Sequence, residues 1–258
     1  MHRRLFLLAL TFATLAAVAA SLLVASASAA AHRWTVCAGG CAFTTIPPAL
    51  AAASDGDVIA IGPGSYGGGF TIAKNVTLRG AGAGQTTISG RDASIVGPVS
   101  NTVAVASGWV VTITGFTIGT PPDNPGNGVV NYGALTLKES TVRDAGAVFG
   151  GGIVNFGTMT LKTSTVTNNF ADVGGGIDNL GTMTLKDSTV TGNNAGLVGG
   201  GIQNGEGVYN GTLTLDDSTV TSNTAGFVGG GINNSAGSTV RLNDSTVTGN
   251  TPSNCVGC

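Results

Sequence analysis

The stretch GGGIVNFGTMTLKTSTVTNNFADV (residues 150–173) is followed at once by GGGIDNLGTMTLKDSTVTGNNAGLV (residues 174–198), the same sentence with a few side chains exchanged. Gly-Gly-Gly-Ile returns at residues 199–202 and 229–232, and Ser-Thr-Val begins at Ser140, Ser164, Ser188, Ser218 and Ser245. The column Val129, Ile153, Ile177, Ile202, Ile232 advances by 24, 24, 25 and 30 residues. A fixed period in this range marks a repeat architecture, in which each unit buries its apolar side only against its neighbours.

Each unit holds three short runs: Ile-x-Asn, then Thr-Met-Thr-Leu, then Ser-Thr-Val-Thr. Met159 and Leu161 alternate with Thr158 and Thr160, which is the period of a strand with one face buried. No run is long enough for a helix. Three strands and three turns per ~24 residues make one coil of a right-handed single-stranded parallel β-helix, with each strand beside its counterpart one coil on, about 4.8 Å away. Three inward columns follow: Val129 to Ile232; Leu137, Leu161, Leu185, Leu215 and Leu242; and Val142, Val166, Val190, Val220 and Val247. Asn131, Asn155, Asn179, Asn204 and Asn234 form one turn ladder, and Asn169, Asn193, Asn223 and Asn250 a second. Asparagine suits a repeated turn because it tolerates left-handed backbone and stacked copies bond to one another.

Toward the N-terminus the plan loosens. Residues 111–118 (VTITGFTI) sit 24 residues before residues 135–142, and residues 58–61 and 75–78 read as earlier strands. Residues 45–53 read as a capping helix that covers the open end of the first coil, with Pro47 and Pro48 in its first turn. Room for roughly eight coils runs from Gly56 to Asn250.

Composition agrees. Of 258 residues 43 are Gly and only 9% are charged, against about a quarter in an ordinary globular domain. A formal charge of −2 gives no basic footprint, so nucleic acid is not an expected partner. Arg3 and Arg4 precede a long apolar run, and small-x-small sites cluster from Ala25 to Ala31; residues 1–30 therefore read as a signal peptide, with a retained anchor as the alternative. Residues 31–258 are then a single β-helix domain. Cleavage near Ala29 leaves nine Lys and Arg against thirteen Asp and Glu, a charge of −4. The expectation is a secreted or cell-surface monomer with no transmembrane segment after cleavage. Cys37 with Cys41 and Cys255 with Cys258 form two close pairs, which in an exported chain read as local disulfides; a four-thiolate metal site would need the two ends of the solenoid to meet.

Residues 43–53, then Gly56-Asp57-Val58-Ile59, Pro63-Gly64-Ser65-Tyr66 and Lys74-Asn75-Val76-Thr77-Leu78-Arg79-Gly80, resemble the first coils of the pectate-lyase-like right-handed β-helix superfamily. The Gly-Gly-Gly-Ile repeats are similar to those of the chlamydial polymorphic outer-membrane proteins. The first resemblance implies a fold whose enzymes act on acidic polysaccharides: lyases with clustered Asp for Ca²⁺ and an Arg base, hydrolases with several Asp, methylesterases with paired Asp, Gln and Arg. None of those motifs is legible here, so no catalytic residue is assigned.

Three places could still carry chemistry. Asp187, Asp217 and Asp244 precede successive Ser-Thr-Val runs, in a column with Glu139 that Thr163 interrupts; stacked carboxylates supply the oxygen ligands Ca²⁺ takes, and a solvated turn is the plainer reading. The insertion at residues 205–209 lengthens one turn, and insertions in repeat proteins mark binding faces, so Glu206 and Tyr209 are the candidate sugar or partner contacts. Thr165/Thr167, Thr189/Thr191, Thr219/Thr221 and Thr246/Thr248 make an outward two-column grid similar to the ice-binding faces of antifreeze β-helices. The sequence thus favours a non-catalytic binding, adhesion or structural module without cofactor, directed at cell-surface glycans or at surface proteins of a host or neighbouring cell. A lyase or hydrolase acting on acidic glycans, and an ice-binding protein, are the alternatives.

Overall fold

Alternating Thr and Leu drive each Thr-Met-Thr-Leu run into an extended chain with all its apolar side chains on one face. The computed structural model, which describes residues 30–90, 101–120 and 125–258, stacks these runs in register. Thr158–Lys162 lies parallel to Ala134–Lys138 on one side and Thr182–Lys186 on the other, with Leu161 between Leu137 and Leu185. Among the described residues nine such strands, from Arg33–Val36 to Thr239–Asn243, form sheet 1. Sheet 2 has eight strands, from Phe70–Ile72 to Cys255–Val256; sheet 3 has eight, from Gly64–Gly67 to Thr246–Thr248. Phe170–Val173, Asn194–Val198 and Thr224–Ala225 add a small sheet 4 at the corner between sheets 3 and 2. Each coil visits sheet 2, then 1, then 3, as the sequence period requires. Residues 1–29, which carry nearly all of the signal-peptide reading, lie outside the described residues, and Ala31–Cys258 hold together as one unit.

The three inward columns are the core. Ile153, Ile177, Ile202 and Ile232, Leu137 to Leu215, and Val142 to Val220 are all fully buried, each contributing about 1.5–3 kcal/mol by leaving water. Leu242 keeps its place in the register but is 43% exposed, because its strand is the edge of sheet 1 among the described residues. From Val58–Ile61 to Thr239–Asn243 sheet 1 counts eight strands, the number the sequence predicts; its ninth, Arg33–Val36, precedes the repeats and pairs with Val58–Ile61.

Helix Ile46–Ala52 caps this end, burying Ile46, Ala49 and Leu50, with Pro47 and Pro48 in its first turn. Lys74 Nζ closes the helix C-terminus by donating to Ala51 O (2.8 Å) and to Ala53 O. Asp57 ties the first strand down: its carboxylate accepts from His32 N (2.7 Å), Trp34 Nε1 (3.0 Å) and Ser54 N (2.8 Å), and these bonds hold its pKa below the usual carboxylate value. Both expected disulfides are present, Cys37–Cys41 and Cys255–Cys258.

The ladders run unbroken through the repeats. Asn131 Nδ2 donates to Asn155 Oδ1, Asn155 to Asn179, Asn179 to Asn204 and Asn204 to Asn234, all at 2.7–2.8 Å. Asn169, Asn193, Asn223 and Asn250 repeat the arrangement at 2.9–3.0 Å. All but the half-buried Asn234 are buried, not turn tips; the left-handed residue is the one before the second ladder, as at Asn168 (φ 55°) and Ser222 (φ 56°). A third ladder was not foreseen: each Ser of Ser-Thr-Val accepts from the backbone N–H of its counterpart one coil earlier, Ser140 N to Ser164 Oγ at 3.2 Å being one rung. The glycine triplet has a steric cause. Gly174 is left-handed (φ 65°), and a Cβ on Gly175 or Gly176 would come within 2.6 Å of Gly200 O or Gly201 O in the next coil.

Candidate functional site

The outward face of sheet 2 changes character along its length. The central residue of Ile-x-Asn runs Val130, Val154, Asp178, Gln203, Asn233 in register. Asn233 Nδ2 donates to Gln203 Oε1 (2.8 Å), and Gln203 Nε2 donates to Gly205 O (2.6 Å) and Ser235 Oγ (3.0 Å). Gln203 thereby anchors the inserted turn. That turn closes on itself through Glu206 N to Tyr209 O (3.0 Å) and Tyr209 N to Glu206 O (2.9 Å). Its Tyr209 ring meets Phe156 edge-on, 6.2 Å between centroids. Phe156 stacks in turn on Tyr132, 5.0 Å away with the ring planes nearly parallel.

A groove of about 560 Å³ results. Phe156 and Tyr209 wall it, Val154 and Leu180 line its apolar part, Phe149 and Val208 border it, and Asp178 and Glu206 bring two carboxyls to it. Asp178 is 1% exposed, and its Oδ1 has no hydrogen-bond partner. Burial first, and then the charge of Glu206, push its pKa up to about 7. Burial also raises Glu206. A carboxyl that stays protonated near neutral pH can donate as well as accept a hydrogen bond, and a second carboxyl at hand can take up a proton. An unpaired buried polar atom costs about 1–3 kcal/mol, which a ligand hydroxyl would relieve.

Of the residues singled out in the sequence, the structure brings Glu206 and Tyr209 together in this groove. It adds Phe156, with Tyr132 stacked behind it, and Asp178, all of which sequence reasoning missed; the signal for Asp178 was the drift of the Ile-x-Asn centre from Val to Asp to Gln. It does not gather Asp187, Asp217 and Asp244 into a metal site. They lie one above another in the tight turn from sheet 1 to sheet 3, at φ 46–48°. Among the described residues no three His, Cys, Asp or Glu side chains converge where a metal ion could sit. Their cause is the backbone: Asp adopts left-handed φ more readily than most residues. Lys186 pairs with Asp216 (3.7 Å) rather than Asp187, and Lys138 with Glu139 (3.0 Å). The threonine grid is real in register, Thr165 beside Thr189 beside Thr219 and Thr167 beside Thr191 beside Thr221. Sheet 1 carries a second one, Thr158, Thr182, Thr212 with Thr160, Thr184, Thr214, as β-propensity alone produces. His32, ahead of the first coil, donates its backbone N–H to Asp57 Oδ1 and packs 4.3 Å from Trp34.

No family model matches the sequence, and no curated protein matches it either. Solved structures do. A pectin methylesterase from carrot superposes with a TM-score of 0.52 at 15% identity, over 89% of this chain and 87% of that one. The pectin methylesterase PemA from Erwinia chrysanthemi gives 0.50 at 13%, over 78% and 81%. The fold is the pectate-lyase-like right-handed parallel β-helix. No helix among the described residues is long and apolar enough to cross a membrane.

Proposed function

We propose that this protein is an exported β-helix that binds a glycan chain in the groove on sheet 2. The carrying observation is Asp178, a buried carboxyl with an unmade hydrogen bond at an aromatic-walled groove. Sugars present hydroxyls to such groups and apolar C–H faces to rings. Tyr132, Phe156 and Tyr209 offer a run of rings over neighbouring coils. Tyr209, 53% exposed, contributes little to folding, so Tyr209→Ala should leave the melting temperature within a few degrees. It should weaken glycan binding about tenfold, or about 1.4 kcal/mol. A glycan array followed by calorimetry on the hits checks this; unchanged affinity for every glycan bound would sink the reading.

The pairing of Asp178 with Glu206 favours a second reading, an enzyme acting on polysaccharide with Asp178 as general acid. The likeness to two pectin methylesterases accords with it. Release of reducing ends, or of methanol from methyl-esterified pectin, that Asp178→Asn abolishes would establish turnover. Binding without release would leave the chain a lectin-like module.

A further inference from the structure

Resting on the glycan-groove reading, we propose that the groove selects uncharged glycans and rejects anionic ones such as polyuronates. The distribution of cations carries the argument. Eight Lys and Arg lie among the described residues, and six of them, Arg33, Arg79, Lys138, Lys162, Lys186 and Arg241, sit on sheet 1. Arg143 sits on sheet 3, beside Asp144 (3.2 Å). Lys74 is spent on the end of the capping helix. Among the described residues none of the eight strands of sheet 2 contains a Lys or Arg, and none lines the groove. Its ionisable groups are Asp178 and Glu206, both acids. Anionic polymers are held by bidentate Arg or by Lys, and like charges facing one another across an interface are costly. A carboxylate sugar laid on this floor would meet two acids and no counter-charge. Burial already raises both acids, and a bound anion would raise them further, so it binds either against their charge or with uptake of a proton.

The test compares matched probes on the purified protein by calorimetry at pH 7.5: cellohexaose, mannohexaose and xylohexaose, hexagalacturonate, and fully methyl-esterified hexagalacturonate. We expect at least one uncharged probe to bind and hexagalacturonate to bind at least about tenfold more weakly than its methyl ester. Glu206→Gln and Asp178→Asn, made separately, should each narrow that gap several-fold, and so should added salt. Equal or tighter binding of hexagalacturonate overturns the selectivity and leaves the groove reading standing. A gap that neither variant narrows overturns the assignment to these two carboxyls. Failure of every glycan to bind removes both readings.

Discussion

Two turns of the same coil tell opposite stories. The turn from sheet 1 to sheet 3 is identical in every repeat, one left-handed residue filled by Glu139, Thr163, Asp187, Asp217 and Asp244 at φ 46–49°. The turn from sheet 2 to sheet 1 changes in every repeat: Tyr132, Phe156, Leu180, and then the inserted segment with Glu206 and Tyr209. In the first, backbone conformation chooses the residue, and the acidic column that results is a by-product. In the second, nothing in the backbone demands an aromatic ring or a carboxyl, so their presence asks for a ligand. A conspicuous pattern in a solenoid is evidence of geometry, and a break in pattern is the better evidence of function.

The comparison can be broken most sharply at Asp178. Its pKa is about 7 in the fold, against an ordinary value of 3.8. Below 3.8 both folded and unfolded chains hold the proton. Between there and about 7 the fold holds a proton the unfolded chain has released, so stability falls as pH rises through that window and levels off above it. Asp178→Asn should flatten the slope and raise stability at pH 8, by roughly 4 kcal/mol at most. Urea unfolding at pH 4, 6 and 8 reads this directly; a wild-type chain equally stable at all three would show that Asp178 is solvated rather than sequestered.

Next in size is Gly175→Ala, which drives a Cβ into the following coil and should cost about 3 kcal/mol, seen as a lower denaturation midpoint. A tolerated alanine there would mean that the coils are less tightly stacked than the ladders imply. The regular turn gives the smaller effects. Thr163 is a β-branched residue at φ 49°, so Thr163→Asn should stabilise by about 1 kcal/mol. Asp187→Asn, keeping a side chain suited to that backbone, should change stability by less than about 0.5 kcal/mol, and Ca²⁺ should shift the melting temperature of neither protein. A Ca²⁺-dependent shift lost in Asp187→Asn would restore the carboxylate column as a site and erase the contrast.

The coil, its three inward columns, the capping helix and both cysteine pairs were legible because each follows from a short-range rule applied repeatedly. What escaped did so for identifiable reasons. Arg33–Val36 lies upstream of the repeats and becomes a strand only because Val58–Ile61 offers it an edge. The serine ladder hides inside Ser-Thr-Val, where serine passes for a turn residue. Phe170–Val173 and its partners form a sheet only through contacts between coils. Glu206 and Tyr209 were visible as an insertion, whereas Asp178 stood in the variable slot of Ile-x-Asn. The slot is buried in coil after coil, at Val130, Val154 and Gln203 as at Asp178, and a carboxyl there meets Glu206 only through a segment nearly thirty residues downstream, which no local pattern announces.

The asparagine ladders have a further consequence. Every rung offers the same donor upward and the same acceptor downward, so a coil does not know which coil it touches. Deleting residues 153–176 would set Asn131 against Asn179 as it now meets Asn155, and Val129 against Ile177 as it now meets Ile153. The unit of heritable change in such a molecule is the whole coil, gained by duplication or lost by excision, and a groove on its flank can be lengthened or shortened without a new core having to be invented.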